Sequence, residues 1–144
     1  MANPTTIPDD VAAFLARHTR VFLLTRRRDG APTIHPMTGF FADGRVTMTT
    51  YRKSAKARNV TRDPRAACLV VNGYGHDDVR GALVRGRGSL REGTMAVPGA
   101  NASAAPKVSG SVTTRVAERM ASGKRVFLDV EPDDARFVDR FWSE

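Results

Sequence analysis

Apolar residues recur along this chain with two different periods, and the change of period divides it into elements. Near the amino end Val11, Phe14 and Leu15 fall at i, i+3 and i+4 behind Asp9, the pattern of a capped amphipathic helix that packs across one end of a barrel. From residue 21 the period changes. Residues 21–25 are apolar and β-branched, Asp29-Gly30 is a hairpin turn, and residues 33–41 read as a second strand. After the turn Ala42-Asp43-Gly44, a third strand over 45–51 alternates Val46, Met48 and Thr50 with Arg45, Thr47 and Thr49.

Ser54 is placed to cap a short helix over 55–62, which Asp63-Pro64 ends because a residue before proline avoids the helical region. Strands follow over 66–72 and 81–90; Gly86 and Gly88 in the latter point to a sharp barrel bend or a close backbone approach. Residues 93–111 are rich in Gly, Ala, Ser and Pro without an apolar period and read as a mobile loop. A helix over 113–122, with Val112, Val116 and Met120 on one face and Gly123 as its stop, leads into a sixth strand over 125–130. Beyond Pro132, Phe137, Val138, Phe141 and Trp142 stand at helical spacing, as in a tail docked on the core or on a partner subunit. The expected class is mainly β with flanking helices: six antiparallel strands in one domain spanning 1–144.

The length of 144 residues suits one core and leaves no room for separate cofactor and substrate domains. No run approaches the roughly 20 apolar residues that cross a bilayer, and the opening residues lack a signal peptide's basic start and apolar run, so a cytoplasmic protein without membrane contact is expected. The lone cysteine, Cys68, has no disulfide partner and lies in an apolar run as a small hydrophobe. His18, His35 and His76 are not paired with other ligands at metal-binding spacing.

The formal charge of +8 calls for an anionic partner. Its densest stretch lies between Arg52 and Arg62, where the third strand leaves through the hydroxyls of Thr49 and Thr50, crosses a basic turn and starts a helix. Free backbone N–H groups at that start, beside Ser54, Lys56 and Arg58, make a phosphate cradle; the alternative is a basic helix facing water. Arg27, in the first hairpin, is expected to stand away from this cradle.

Leu23-Leu24-Thr25, Asp29-Gly30-Ala31-Pro32, Pro36, residues 46–50, Lys56-Ala57-Arg58-Asn59 and Asp63-Pro64-Arg65-Ala66, in this order, resemble the pyridoxamine 5′-phosphate oxidase-like split β-barrel proteins, particularly their short branch using FMN or deazaflavin F420. The resemblance implies a hydride-transferring oxidoreductase acting on a small organic substrate. It implies a cofactor ring along the second and third strands, bordered by His35, Pro36 and Met37, with Thr50, Ser54, Lys56 and Arg58 as phosphate ligands and Thr49 beside them. His35 is then a candidate to hydrogen-bond a ring carbonyl or donate a proton, against a purely structural role. The resemblance also implies a homodimer with the site between subunits; Phe137, Phe141, Trp142, Arg85 and Arg87 are candidates for its interface. The carboxy-terminal Arg- and Trp-rich segment that holds pyridoxal phosphate in longer members has no counterpart here, so a vitamin B6 substrate is not expected. The other reading is a non-catalytic basic β-barrel binding nucleic acid or another polyanion, supported by Arg26-Arg27-Arg28 beside the 52–62 run and opposed by the scarcity of aromatics free to stack on bases.

Overall fold

The alternating segments pair into six antiparallel strands: β1 Arg20–Arg26, β2 Pro32–Ala42, β3 Arg45–Tyr51, β4 Arg65–Val71, β5 Gly81–Arg91 and β6 Arg125–Phe137. They close as a barrel in the order β1-β2-β3-β6-β5-β4, with helices α1 Asp9–Arg17, α2 Ala55–Arg62 and α3 Gly110–Ala121 around it. This computed structural model describes residues 7–73, 79–94 and 110–138. No helix among the described residues is long and apolar enough to cross a membrane.

Period-two alternation sends one side chain in two inward. The core therefore draws Val21 and Leu23 from β1, Val46 and Met48 from β3, Cys68 and Val70 from β4, Ala82 and Val84 from β5, and Leu128 and Val130 from β6. Each fully buried Val or Leu contributes roughly 1.5–3 kcal/mol relative to exposure. Burial pushes the Cys68 thiol up to about 12, so it is an inert packing group.

Helix α1 closes one end with Val11, Phe14 and Leu15. The expected cap by Asp9 is not made: Pro8 occupies the cap position, Asp9 lies in the first turn, and Asp10 Oδ1 accepts from its neighbour's N–H, that of Val11, at 2.9 Å. Both carboxylates still favour the positive end of the helix. Helix α3 starts earlier than its apolar pattern indicated and ends as expected, before Gly123 at φ +78°. The anticipated loop over 93–111 lies mostly outside the described residues.

The largest departure from the pattern is β6, which continues through Pro132 to Phe137 instead of turning helical. Proline lacks a ladder donor and is tolerated at a bulge. Here Pro132 stands opposite Gly86 where the β5–β6 register shifts. A Cβ on Gly86 would lie 1.8 Å from the Glu131 carbonyl oxygen, so only glycine lets the bulge close. Gly88 serves a different need, since a Cβ there would meet Val60 Cγ1 of α2 at 2.8 Å. Phe137 then packs against the core, edge-on to Phe14 at 5.5 Å. Phe141 and Trp142 lie outside the described residues.

One strand pair is incomplete, and this positions the site. Strand β3 pairs with β2 only from Gly39↔Met48 to Ala42↔Arg45. Over residues 32–38, β2 is paired on its β1 side alone among the described residues.

Candidate functional site

Beyond Tyr51 the chain turns at once into α2, whose start is locked to β3. Ser54 Oγ accepts from the Ala57 N–H at 3.2 Å and lies 3.0 Å from the buried Thr50 hydroxyl. Such a cap contributes about 1 kcal/mol. Ala57 and Val60 face inward, and α2 carries Ala55, Arg58, Thr61 and Arg62 to the wall of a cavity of about 770 Å³. Arg27 and Arg28 of the β1–β2 hairpin, Thr33 and His35 of β2, and Arg52 supply further lining. Among the described residues, five arginines and no carboxylate line this space, a converging field that concentrates anions.

Some of these cations are already engaged. Arg52 donates to Glu92 at 2.6 Å and to the Gly123 carbonyl at 2.9 Å, while Arg27 lies 3.4 Å from Asp29. Arg28 and Arg58 have no side-chain partner among the described residues. Arg62 reaches back to the Arg26 carbonyl at 2.6 Å and to Asn59 Oδ1 at 3.1 Å. The Asn59 amide in turn donates to the Thr25 hydroxyl at 3.1 Å, so a buried polar bridge ties α2 to the hairpin.

His35 faces the split where β2 has left β3. Its Nδ1 is buried without a hydrogen-bond partner among the described residues. Burial, and then the nearby Lys56 charge, hold its pKa below the ordinary value, so the ring is neutral at neutral pH.

Of the residues singled out from the sequence, His35 and Arg58 line the cavity, while Thr50 and Ser54 stand behind the start of α2. Lys56 is half-buried and outside the lining, acting on His35 through its charge. The Thr49 hydroxyl and carbonyl accept from Arg125 at 2.9 and 3.0 Å. Met37 packs on the core and Pro36 is exposed beside Ile34. Arg27 does not stand apart from the basic cluster: with Arg28 it lines the same cavity, because Asn59 and Arg62 draw the hairpin onto α2. Sequence reading passed over Thr33, Arg52, Asn59 and Arg62 as site residues; the charge run from Arg52 to Arg62 and the motif ending at Asn59 were the signals for three of them, and Thr33 had none. The proposed interface residues Phe137 and Arg85 are also committed within the chain, Phe137 to the core and Arg85 to Asp134 at 2.8 Å. Among the described residues, the large apolar side chains left exposed are Phe22, Ile34 and Phe40 of β1 and β2, together with Tyr51 and Val79.

No curated protein matches this chain in sequence. Among solved structures, a conserved hypothetical protein of Mycobacterium tuberculosis is 25% identical with a TM-score of 0.67, covering 98% of this chain and 89% of that one. A protein described as F420 reductase is 21% identical with a TM-score of 0.63, covering 90% of this chain and 98% of that one. A heme-binding protein from Mycobacterium smegmatis is 16% identical with a TM-score of 0.62; the match covers 96% of this chain and 57% of that one. Likeness at such identities carries the fold. The family model described as Pyridoxamine 5'-phosphate oxidase matches residues 7–139, nearly the whole chain. With a closed six-stranded barrel split between β2 and β3, this chain belongs to the pyridoxamine 5′-phosphate oxidase-like family.

Proposed function

We propose that the chain is an oxidoreductase that seats the anionic part of a flavin-type cofactor in the arginine cavity, and that F420 suits it better than FMN. The observation that carries this is the lining itself: five arginines and no carboxylate among the described residues. FMN ends in one phosphate monoester, which one or two guanidiniums satisfy. F420 carries its phosphate within a longer acidic tail, and a row of arginines matches that chemistry. Arg28 and Arg58, without protein partners among the described residues, would hold the tail, and Arg27 and Arg62 would flank it. The unpaired edge of β2 over 32–38 offers backbone donors and acceptors to a planar ring, with neutral His35 beside it.

The hydride chemistry belongs to the cofactor when bound; the protein binds, orients and keeps water away. Neutral His35 can accept a hydrogen bond at one ring nitrogen and donate at the other, which suits it to hold a proton near the ring. Among the described residues, the cavity lining contains no Phe, Tyr, Trp or large aliphatic side chain. A ring therefore needs an apolar wall from elsewhere, and we assign it to a second copy. Phe22 stands opposite Pro36, and Leu24 opposite Ile34, on the outer face of β1 and β2. Ile34 is 64% exposed and Phe40 44%, and this exposed apolar face supports our reading of it as the homodimer contact.

Absorbance and fluorescence titration with FMN, FAD and F420 tests the proposal. The expected order places F420 at least about tenfold tighter than FMN, from the additional charge-assisted contacts. Failure to bind any of the three, with steeply salt-dependent binding of an oligonucleotide, would shift the reading to the polyanion-binding alternative.

A further inference from the structure

We propose that Asn59 is the positioning residue that sets the separation between two arginine pairs, Arg27 and Arg28 on the hairpin and Arg58 and Arg62 on α2, so that the cavity favours extended anions over single phosphates. The proposal rests on the cavity being an anion site, as argued above. Asn59 is a poor helix former in the body of α2 and is 6% exposed, so a polar role must offset both. A guanidinium only donates, so the amide atom facing Arg62 at 3.1 Å is the oxygen, and the amide nitrogen faces the threonines. That nitrogen lies 3.1 Å from Thr25 Oγ1 and 3.5 Å from Thr33 Oγ1, and the two hydroxyls lie 2.9 Å from each other. One amide thus bridges α2, β1 and β2.

The bridge ends where the hairpin arginines begin. Arg62, held by Asn59, donates to the Arg26 carbonyl at 2.6 Å, one residue before Arg27. Like charges on hairpin and helix repel, and without the bridge they would drift apart. A single phosphate needs one pair and tolerates such a drift; an extended anion needs both pairs at a fixed separation.

The experiment compares orthophosphate with inorganic tripolyphosphate by calorimetry on the full chain at constant ionic strength. Asn59→Ala removes the bridge. Thr25→Val removes one anchor at a fully buried position outside the cavity lining, with shape conserved. Both variants should weaken tripolyphosphate by about tenfold, as expected for losing one or two buried hydrogen bonds, while orthophosphate stays within about twofold. A purely structural role would lower the melting temperature without moving this ratio. If Asn59→Ala does not fold, Thr25→Val decides. An unchanged ratio in variants whose wild type binds tripolyphosphate overturns the role of Asn59 alone. A wild type that does not bind tripolyphosphate overturns both this proposal and the anion reading of the cavity.

Discussion

Lys56 and His35 show how single residues make the site legible in part. The run Lys56-Ala57-Arg58-Asn59 marked the right helix, but its members divide by direction: Arg58 lines the cavity from its exposed side, Asn59 lines it from a buried position, and Lys56 stands outside the lining and acts on His35 through its charge. Burial and then Lys56 keep the His35 pKa below its ordinary 6.5 in the folded chain. The unfolded chain takes up a proton there as pH falls through about 6.5, while the folded chain does not until its lower pKa is reached. Stability contributed by neutral His35 is therefore present above the unfolded value and lost as pH falls from it to the folded value. Lys56→Ala should raise the His35 pKa and narrow that window, as followed by NMR of the ring proton; an unmoved titration would show that the charge does not reach the ring. Arg27 and Arg28 were legible as a charge run but not as site residues, since nothing local shows that a hairpin tip will fold over a helix beginning 27 residues after Arg28.

Elements with strict periodicity were read from sequence almost residue for residue. The alternation of Val46, Met48 and Thr50 gave β3, and Ser54 with Asp63-Pro64 bounded α2 as observed. The end of β6 was not legible, because Pro132 reads locally as a break and only its cross-strand neighbour, Gly86, removes the conflict. Gly86→Ala should therefore destabilise the barrel by at least about 2 kcal/mol through backbone overpacking. The check is a lower urea midpoint at unchanged slope; a midpoint matching wild type would mean that the bulge relaxes freely. Ser54→Ala should cost about 1 kcal/mol through loss of the cap, and the same urea experiment measures it.

For the whole molecule, the anion cradle and the missing ring wall point in complementary directions. One chain assembles the arginines through long-range contacts, while the apolar surface bearing Phe22, Ile34 and Phe40 remains uncovered. Ile34→Asp should convert the proposed dimer into a monomer in sedimentation equilibrium at micromolar concentration, because a buried unpaired carboxylate at the contact costs several kcal/mol. It should retain tripolyphosphate binding, since the strand alternation puts Ile34 on the opposite face of β2 from Thr33 and His35, which line the cavity; a variant that remains dimeric would place the contact on another face. The central claim is that the arginine cavity holds the cofactor's anionic part, and it is tested most directly by the F420 affinity of the Arg28→Ala, Arg58→Ala double variant against wild type at fixed ionic strength. The account predicts a loss of at least about two decades, from two charge-assisted contacts of roughly 1.5–3 kcal/mol each. An affinity within threefold of wild type in a variant of unchanged melting temperature would contradict it.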